Sequence, residues 1–176
     1  MGISTNRELT VGLRQRHVIT SQDFLDGSGL GAAAAAAWPS ANLAFYMPLV
    51  IVESVSVKRI LVPWMTTAAG NVDVGLYTEA WARIVSTGST AITGTSRTQV
   101  FDIADQQLEP GRYYMAMAID NNTDTPARTT GGSAFGFNLL YGVKEEAAAF
   151  PLPATATPTE STTRAYIPLM AITLET

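Results

Sequence analysis

The stretch that decides the fold begins with Gly70-Asn-Val-Asp-Val-Gly-Leu-Tyr77 and ends with Leu108-Glu-Pro-Gly-Arg-Tyr-Tyr-Met-Ala-Met-Ala-Ile-Asp120. In 72–76 large apolar residues alternate with small or polar ones, which is the period of a strand with one buried face. The same alternation recurs in 113–119. Between the two runs, Pro110-Gly111 predicts a type II turn, because proline presets its own φ and glycine accepts the positive φ required there. The segment is therefore expected to run strand, turns, strand.

Similar alternation predicts strands elsewhere in the chain, near residues 43–51, 55–64, 81–86, 98–103, 135–141 and 164–174. Turn residues separate these runs, and no stretch has the pattern of an amphipathic helix. The sequence therefore predicts an all-β protein, an antiparallel β-sandwich. A jelly roll suits the strand count and termini that meet at adjacent strands. An immunoglobulin-like sandwich is the alternative, although its usual Cys…Trp…Cys pattern is missing.

Three local irregularities are expected within these strands. Pro48 cannot donate a hydrogen bond to a neighbouring strand, so its strand should lie at an edge or contain a bulge there. The apolar phase slips at Lys58-Arg59, which predicts a β-bulge unless both faces of the strand are covered. Tyr166-Ile167-Pro168-Leu169 echoes Tyr46-Met47-Pro48-Leu49, so these two segments are candidates to lie side by side.

The chain divides into three parts by composition. Residues 1–26 are polar and mixed, and we interpret them as an extended N-terminal docking arm. Residues 27–38 form an Ala/Gly-rich linker with room for one helical turn, because alanine favours helix but the run is short. Residues 39–176 form the jelly-roll-like sandwich body. Within that body, residues 150–163 are expected to be an extended, proline-bearing loop.

Overall composition excludes several classes of function. The net charge of −4 argues against a nucleic-acid partner, which would need clustered Lys and Arg. The absence of cysteine excludes disulfides, zinc–thiolate sites and thiol nucleophiles. Ala32–Ala37 is too short to span a membrane, and the N-terminus has no signal-peptide core, so no membrane association is expected. Only 15% of residues are charged, which fits a surface partly buried against partners or a Thr- and Ala-rich polar surface.

The candidates for catalysis and metal binding have simpler structural interpretations. His17 is the only histidine and lies in the arm, so a nucleophilic triad has no base. Asp120, Asn122 and Asp124 resemble the first half of a calcium loop, but the loop's glycine and distal glutamate are missing, which favours an ordinary turn. The carboxylate pairs lie in loop-like contexts typical of a solvated surface, and they are Glu145-Glu146, Asp102/Asp105 and Asp23/Asp26. No enzyme activity and no cofactor are expected.

Aromatic side chains offer a second kind of site. Trp38, Trp64 and Trp81, with Tyr46 and Tyr77, could stack on sugars, although aromatics at strand ends are more often core or interface anchors. Trp81 follows Glu79-Ala80 at a predicted hairpin tip and is the best candidate for an exposed contact.

Three motifs in this order resemble tailed-bacteriophage virion-surface modules: residues 70–77, Ser-Thr-Gly-Ser-Thr at 86–90, and residues 108–118. Such modules are β-sandwich domains of tail-fibre, head-fibre and capsid-decoration proteins. The resemblance covers about residues 42–120. It implies a structural or adhesive role, frequently as a homotrimer, and it brings no catalytic residues. The chain lacks the coiled coil or β-helical shaft of long fibres, which favours a small protein attached to the particle.

We therefore expect a non-enzymatic virion protein, made in the host cytoplasm and carried on the particle surface. Its arm would dock on capsid or tail proteins, through Arg7, Leu9, Val11, Leu13, Arg14 and Arg16. Capsid decoration or cementing is the first expectation. The alternative is a receptor-binding tail-fibre or head-fibre module that contacts host-surface glycans.

Overall fold

A computed structural model of the chain describes residues 18–20, 33–129, 142–160 and 166–175. These residues form thirteen strands: β1 (Val18–Thr20), β2 (Ala33–Ala35), β3 (Leu43–Ile51), β4 (Val55–Trp64), β5 (Asn71–Thr78), β6 (Arg83–Ser86), β7 (Thr90–Ala91), β8 (Arg97–Leu108), β9 (Gly111–Ile119), β10 (Ala127–Thr129), β11 (Lys144–Glu146), β12 (Thr159–Glu160) and β13 (Ala171–Glu175).

Two antiparallel sheets form a β-sandwich, which confirms the predicted fold class. One sheet has the order β1-β13-β4-β8, and the other has the order β12-β11-β3-β9-β5-β6, with β7 also paired to β5. A separate ladder joins β10 and β2. The first and last described strands, β1 and β13, are neighbours, as in a jelly roll.

The main core lies between the two sheets. Period-2 alternation puts Val72, Val74 and Leu76 of β5 on the inner face of the seven-stranded sheet, where all three are buried. Ile60 of β4 and Phe101 of β8 are paired residues on the inner face of the other sheet. All five side chains belong to one apolar cluster, so burial of the two inner faces against each other stabilises the sandwich.

Two of the predicted irregularities are present. The pairing of β4 with β8 shifts register between Val57 and Arg59, which confirms the bulge at Lys58-Arg59. Pro48 lies in β3 beyond Tyr46, the last β3 residue that pairs with β11. On that side Pro48 therefore has no paired strand among the described residues, as expected for a residue that cannot donate. Its pairing with β9 continues without a bulge.

The type II turn predicted at Pro110-Gly111 is wrong. Gly111 is the first residue of β9, paired with Ile51, and its φ lies outside the left-handed region. β8 and β9 belong to different sheets, so residues 109–110 cross from one sheet to the other instead of closing a hairpin. The hydroxyl of Tyr113 donates to the carbonyl of Glu109 at 2.9 Å and spans this crossing.

Part of the predicted arm and linker belongs to the sandwich. Val18–Thr20 pairs with β13 at the edge of the four-stranded sheet. The predicted helical turn is wrong for the described alanines, because Ala33–Ala35 pairs with β10 and this pairing overrides helix propensity. Trp38 is buried in the core, and its indole N–H donates to the carbonyl of Leu43 at 3.0 Å.

The predicted pairing of Tyr166–Leu169 with Tyr46–Leu49 is also wrong. β3 is paired with β9 and β11 instead. Tyr166 and Ile167 are buried but precede the last strand, β13. Tyr166 still reaches β3 from the opposite side of the core, since its ring stacks on Phe45 at a centroid distance of 5.6 Å. The strand predicted at 135–141 lies outside the described residues.

Candidate functional site

The outer face of the seven-stranded sheet carries a second, smaller apolar cluster. It is built from residues that alternate with the core residues on β3, β5 and β9: Ala44, Tyr46, Tyr77, Tyr114, Ala116 and Ala118. We call these six residues the tyrosine face. The alanines allow another chain segment to approach the sheet closely, and the tyrosines provide hydroxyl groups at its margin.

Residues 147–158, which we call the strap, cover this face. Ala149, Leu152 and Ala156 of the strap are buried against it. The strands on either side of the strap, β11 and β12, pair with each other, so its two ends are close together. The strap is thus a compact surface loop with buried side chains of its own. The sequence did predict an extended loop at 150–163, but its residues show no hydrophobic pattern that would indicate the buried contacts.

Hydrogen bonds hold the strap across the sheet. Its backbone amides donate to three acceptors: Ala149 N to the Asn42 carbonyl at 2.8 Å, Leu152 N to Oδ2 of Asp73 at 2.9 Å, and Ala156 N to the Trp81 carbonyl at 2.9 Å. Its carbonyls accept from three donors: the Tyr77 hydroxyl to Pro153 at 2.5 Å, Arg83 N to Ala154 at 2.9 Å, and the Arg83 guanidinium to Leu152.

Asp73 is a fully buried carboxylate on β5. Besides Leu152 N, it accepts from the hydroxyls of Thr87 at 3.2 Å and Ser86 at 3.4 Å. Burial raises the pKa of Asp73, and the hydrogen bonds together with the charge of Arg83 offset only part of that effect. The carboxylate is an anchor whose acceptor capacity is used within the protein.

Glu146, the last residue of β11, is a second carboxylate that anchors the strap. It accepts from the Tyr46 hydroxyl at 2.8 Å and from the amide and hydroxyl of Thr157 at 3.1 and 2.9 Å. Burial, followed by the hydrogen bond to Glu146, raises the pKa of Tyr46. Burial also raises the pKa of Tyr77 above its ordinary value, although the charge of Arg83 opposes this. Both phenols therefore stay neutral at physiological pH and act as hydrogen-bond donors.

Trp81 lies at the edge of the tyrosine face and is partly exposed. Its indole stacks on Tyr114 with centroids 4.2 Å apart and meets Tyr46 edge-on at 5.8 Å. Arg112 is exposed, and its guanidinium carbon lies 5.7 Å from the centroid of the Tyr114 ring. The arrangement is a fixed aromatic surface with a cation beside it.

The Asp120–Asp124 turn follows β9 and is hydrogen-bonded to residues 69–71, at the start of β5. Both oxygens of Asp124 accept backbone hydrogen bonds, Oδ1 from Ala69 at 2.7 Å and Oδ2 from Gly70 at 3.0 Å. Asp120 accepts from the amide and the side chain of Asn71 at 3.0 and 2.8 Å. Because each carboxylate oxygen already accepts an N–H, the geometry favours the structural turn over a calcium loop. Asn122 is exposed on the same turn.

The structure describes only some of the other predicted site residues. The six arm residues proposed for docking, His17 and the pair Asp23/Asp26 lie outside the described residues. Asp102 and Asp105 are on the surface, each 3.6 Å from a basic nitrogen of Arg59 or Lys58. Trp38 and Trp64 are core residues, so only Trp81 of the three tryptophans reaches solvent.

Sequence reasoning missed Asp73 and Leu152. Asp73 is in phase with Gly75 and Tyr77, so the alternation assigned it to an outer face that was expected to meet solvent. The sequence hints at the strap only through the proline-rich run at 150–163, in which Leu152 stands among small residues. Nothing local in the sequence joins that run to β5.

The described residues contain no helix long and apolar enough to cross a membrane, and within them no three His, Cys, Asp or Glu side chains are grouped to hold a metal ion. No family model matches the chain, and no curated protein matches it. Among solved structures, it is similar to a ruminal GH26 endo-β-1,4-mannanase, with 11% identity and a TM-score of 0.35 over 67% of this chain. The chain spans about a quarter of that enzyme's length, 26%. A likeness this slight carries no argument about function.

Proposed function

We propose that this chain is a non-enzymatic structural protein of a tailed-phage virion. Its N-terminal residues dock on capsid or tail proteins of the same particle, and the sandwich faces outward, most simply as a homotrimeric capsid decoration or cementing protein. The resemblance of residues 42–120 to virion-surface modules supports this proposal.

The observation that carries the proposal is how three of the described carboxylates are used. Asp73 and Glu146 accept hydrogen bonds that fix the strap to the seven-stranded sheet, and Asp124 accepts hydrogen bonds that fix its turn to the segment before β5. Acidic groups that serve a reaction need a free oxygen in reach of a substrate. Here their acceptor capacity instead stabilises loops, which suits a rigid module attached to a particle.

The large exposed apolar side chains of the described residues are three valines. Val50, Val52 and Val100 are 49%, 63% and 54% exposed. They do not form one patch, because Val50 and Val52 lie on or after β3 and Val100 lies on the other sheet. Apolar residues scattered singly are ordinary on a protein surface, so the support for burial against partners comes from the low charge of the chain.

One observation favours the second candidate, a receptor-binding tail-fibre or head-fibre module that contacts host-surface glycans. It is the partly exposed Trp81, which stacks on Tyr114. The two candidates place the same sandwich at different positions on the particle and in different copy numbers.

Copy number in purified particles tests the proposal. Quantitative mass spectrometry against the major capsid protein should find on the order of hundreds of copies if the chain decorates an icosahedral shell with closed symmetry. A count of tens or fewer would place it on the tail or a head fibre. Absence of the chain from purified particles would overturn both assignments.

A further inference from the structure

The hairpin between β5 and β6 has a backbone that suits glycine but contains tryptophan. Trp81 N donates to the Thr78 carbonyl at 3.0 Å, and Thr78 N donates to the Ala82 carbonyl at 2.9 Å. This is a three-residue loop whose last residue adopts the left-handed conformation, with φ of 65° at Trp81. Glycine is the usual residue there, and Gly88 and Gly94 fill such positions elsewhere in this chain.

A bulky residue at a strained position indicates that its side chain is needed. The strained backbone at Trp81 is held from the strap side, because Ala156 N donates to its carbonyl at 2.9 Å. The indole then lies flat against Tyr114, with centroids 4.2 Å apart and an interplanar angle of 28°. Its orientation is therefore set before any ligand arrives.

The side chains of the other two tryptophans are not available to a ligand. Trp38 and Trp64 are buried, and their indole N–H groups donate to the Leu43 carbonyl and to Oε1 of Gln99. Trp81 is partly exposed, and its indole N–H has no acceptor within the part of the chain that the structure describes. It thus offers an apolar ring face and a hydrogen-bond donor.

Polar groups lie near this aromatic surface. Arg112 is exposed, and its guanidinium carbon lies 5.7 Å from the centroid of the Tyr114 ring on which Trp81 stacks. Exposed Thr155 of the strap forms a bridge with Ala82, the residue after Trp81. Glu146 accepts from the ring neighbour Tyr46 and from exposed Thr157. A flat aromatic surface with donors and acceptors at its rim matches a sugar ring, which has an apolar C–H face and a rim of hydroxyls.

We propose that Trp81, supported from behind by Tyr114, is a stacking platform for a pyranose ring of a polysaccharide, with the exposed Thr155 of the strap as its polar neighbour. The net charge of −4 disfavours a nucleic-acid base as the stacked ring. This site does not depend on the proposed docking to a particle.

The test is titration of the full chain with neutral hexasaccharides of the cello, manno, malto, galacto and chito series. Tryptophan fluorescence reports directly on the site, because Trp81 is the only tryptophan that solvent reaches. We expect at least one series to bind with a dissociation constant of about 1 mM or tighter and to shift the emission.

Three variants make the assignment specific. Trp81→Gly suits the left-handed backbone and should keep the fold while weakening binding at least ten-fold. Trp81→Phe keeps a ring and should lose less. Val52→Ala changes an exposed side chain elsewhere and should bind like the parent. The proposal is overturned if no series binds at about 10 mM, or if folded Trp81→Gly binds as tightly as the parent by calorimetry.

Discussion

The backbone N–H of Leu152 donates a 2.9 Å hydrogen bond to Oδ2 of Asp73, and it thereby joins the strap to β5 of the seven-stranded sheet across 79 residues of chain. Asp73 and Leu152 are both buried. An apolar loop and a buried carboxylate thus depend on each other. Without the carboxylate the amide would lose its acceptor, and without the loop the carboxylate would meet water.

Asp73→Ala should destabilise the protein by about 1–3 kcal/mol, because the Leu152 amide would remain buried without an acceptor. Asp73→Asn retains a carbonyl acceptor and should cost less. Urea unfolding measures both changes. Limited proteolysis should also cut the strap faster in Asp73→Ala than in the parent. An alanine variant as stable as the parent, with an equally resistant strap, would show that Asp73 does not hold the loop.

The pH dependence of stability should reveal two aspartates whose pKa values are shifted in opposite directions. Burial raises the pKa of Asp73 above its ordinary value of 3.8. Burial also acts to raise the pKa of Asp120, but hydrogen bonds from Asn71 and Asn121 outweigh it and lower the pKa below 3.8. Asp73 therefore binds a proton more tightly in the folded state than in the unfolded state, and Asp120 binds one less tightly.

It follows that Asp73 contributes stability below pH 3.8, and that this stability is lost as the pH rises through the folded pKa of Asp73. Asp120 contributes stability above pH 3.8, and that stability is lost as the pH falls through the folded pKa of Asp120. Relative to the parent, Asp73→Asn should gain stability as the pH rises above 3.8, and Asp120→Asn should lose stability as the pH rises towards 3.8 from below. Urea midpoints across the acid range measure both. Parallel slopes for the two variants would contradict this assignment.

The strands β5 and β9 could be predicted because one face of each is uniformly large and apolar. The bulge at Lys58 was visible because a slip in phase leaves a trace in the sequence itself. The strap could not be assigned in this way, since its buried residues are mostly alanine and its anchor, Asp73, is remote in sequence. For the linker at 27–38, alanine propensity left room for one helical turn, and the pairing of Ala33–Ala35 with β10 overrides that propensity.

Two glycines should respond in opposite ways to alanine. A Cβ at Gly75 would lie 2.5 Å from the Val85 carbonyl oxygen and 2.9 Å from Cβ of Ser86, so β6 would have to move. Gly75→Ala should therefore cost about 1–3 kcal/mol. A Cβ at Gly111 would make only ordinary contact with Tyr113, at 3.5 Å. Gly111→Ala should be neutral or stabilising by up to about 1 kcal/mol. Thermal unfolding compares the two variants. A destabilised Gly111→Ala would indicate that Gly111 adopts the positive φ of the type II turn after all.

Truncation separates the arm from the sandwich. Removing residues 1–17 leaves β1 in place, so the shortened chain should melt like the parent but no longer bind particles that lack the protein. Removing residues 1–20 also deletes the pairs of Val18–Thr20 with β13 and should lower the melting temperature. Co-sedimentation with particles and calorimetry measure the two effects. Particle binding by the chain without residues 1–17 would place the docking surface on the body.

Asp124 should act as a backbone clamp and not as a calcium ligand. Its buried carboxylate receives Ala69 N on one oxygen, and Gly70 N with Nδ2 of Asn121 on the other. Asp124→Asn would turn one acceptor into a donor that faces a backbone N–H, which should cost about 1.5–3 kcal/mol. Asn122→Ala, on the exposed part of the same turn, is the matched control and should change stability by less than about 0.5 kcal/mol.

Millimolar calcium or a chelator should leave the melting temperature of the parent unchanged, because an ion would have to displace these N–H donors before it reached the oxygens. A melting temperature that rises with calcium in the parent but not in Asp124→Asn would show that the turn opens to bind the ion.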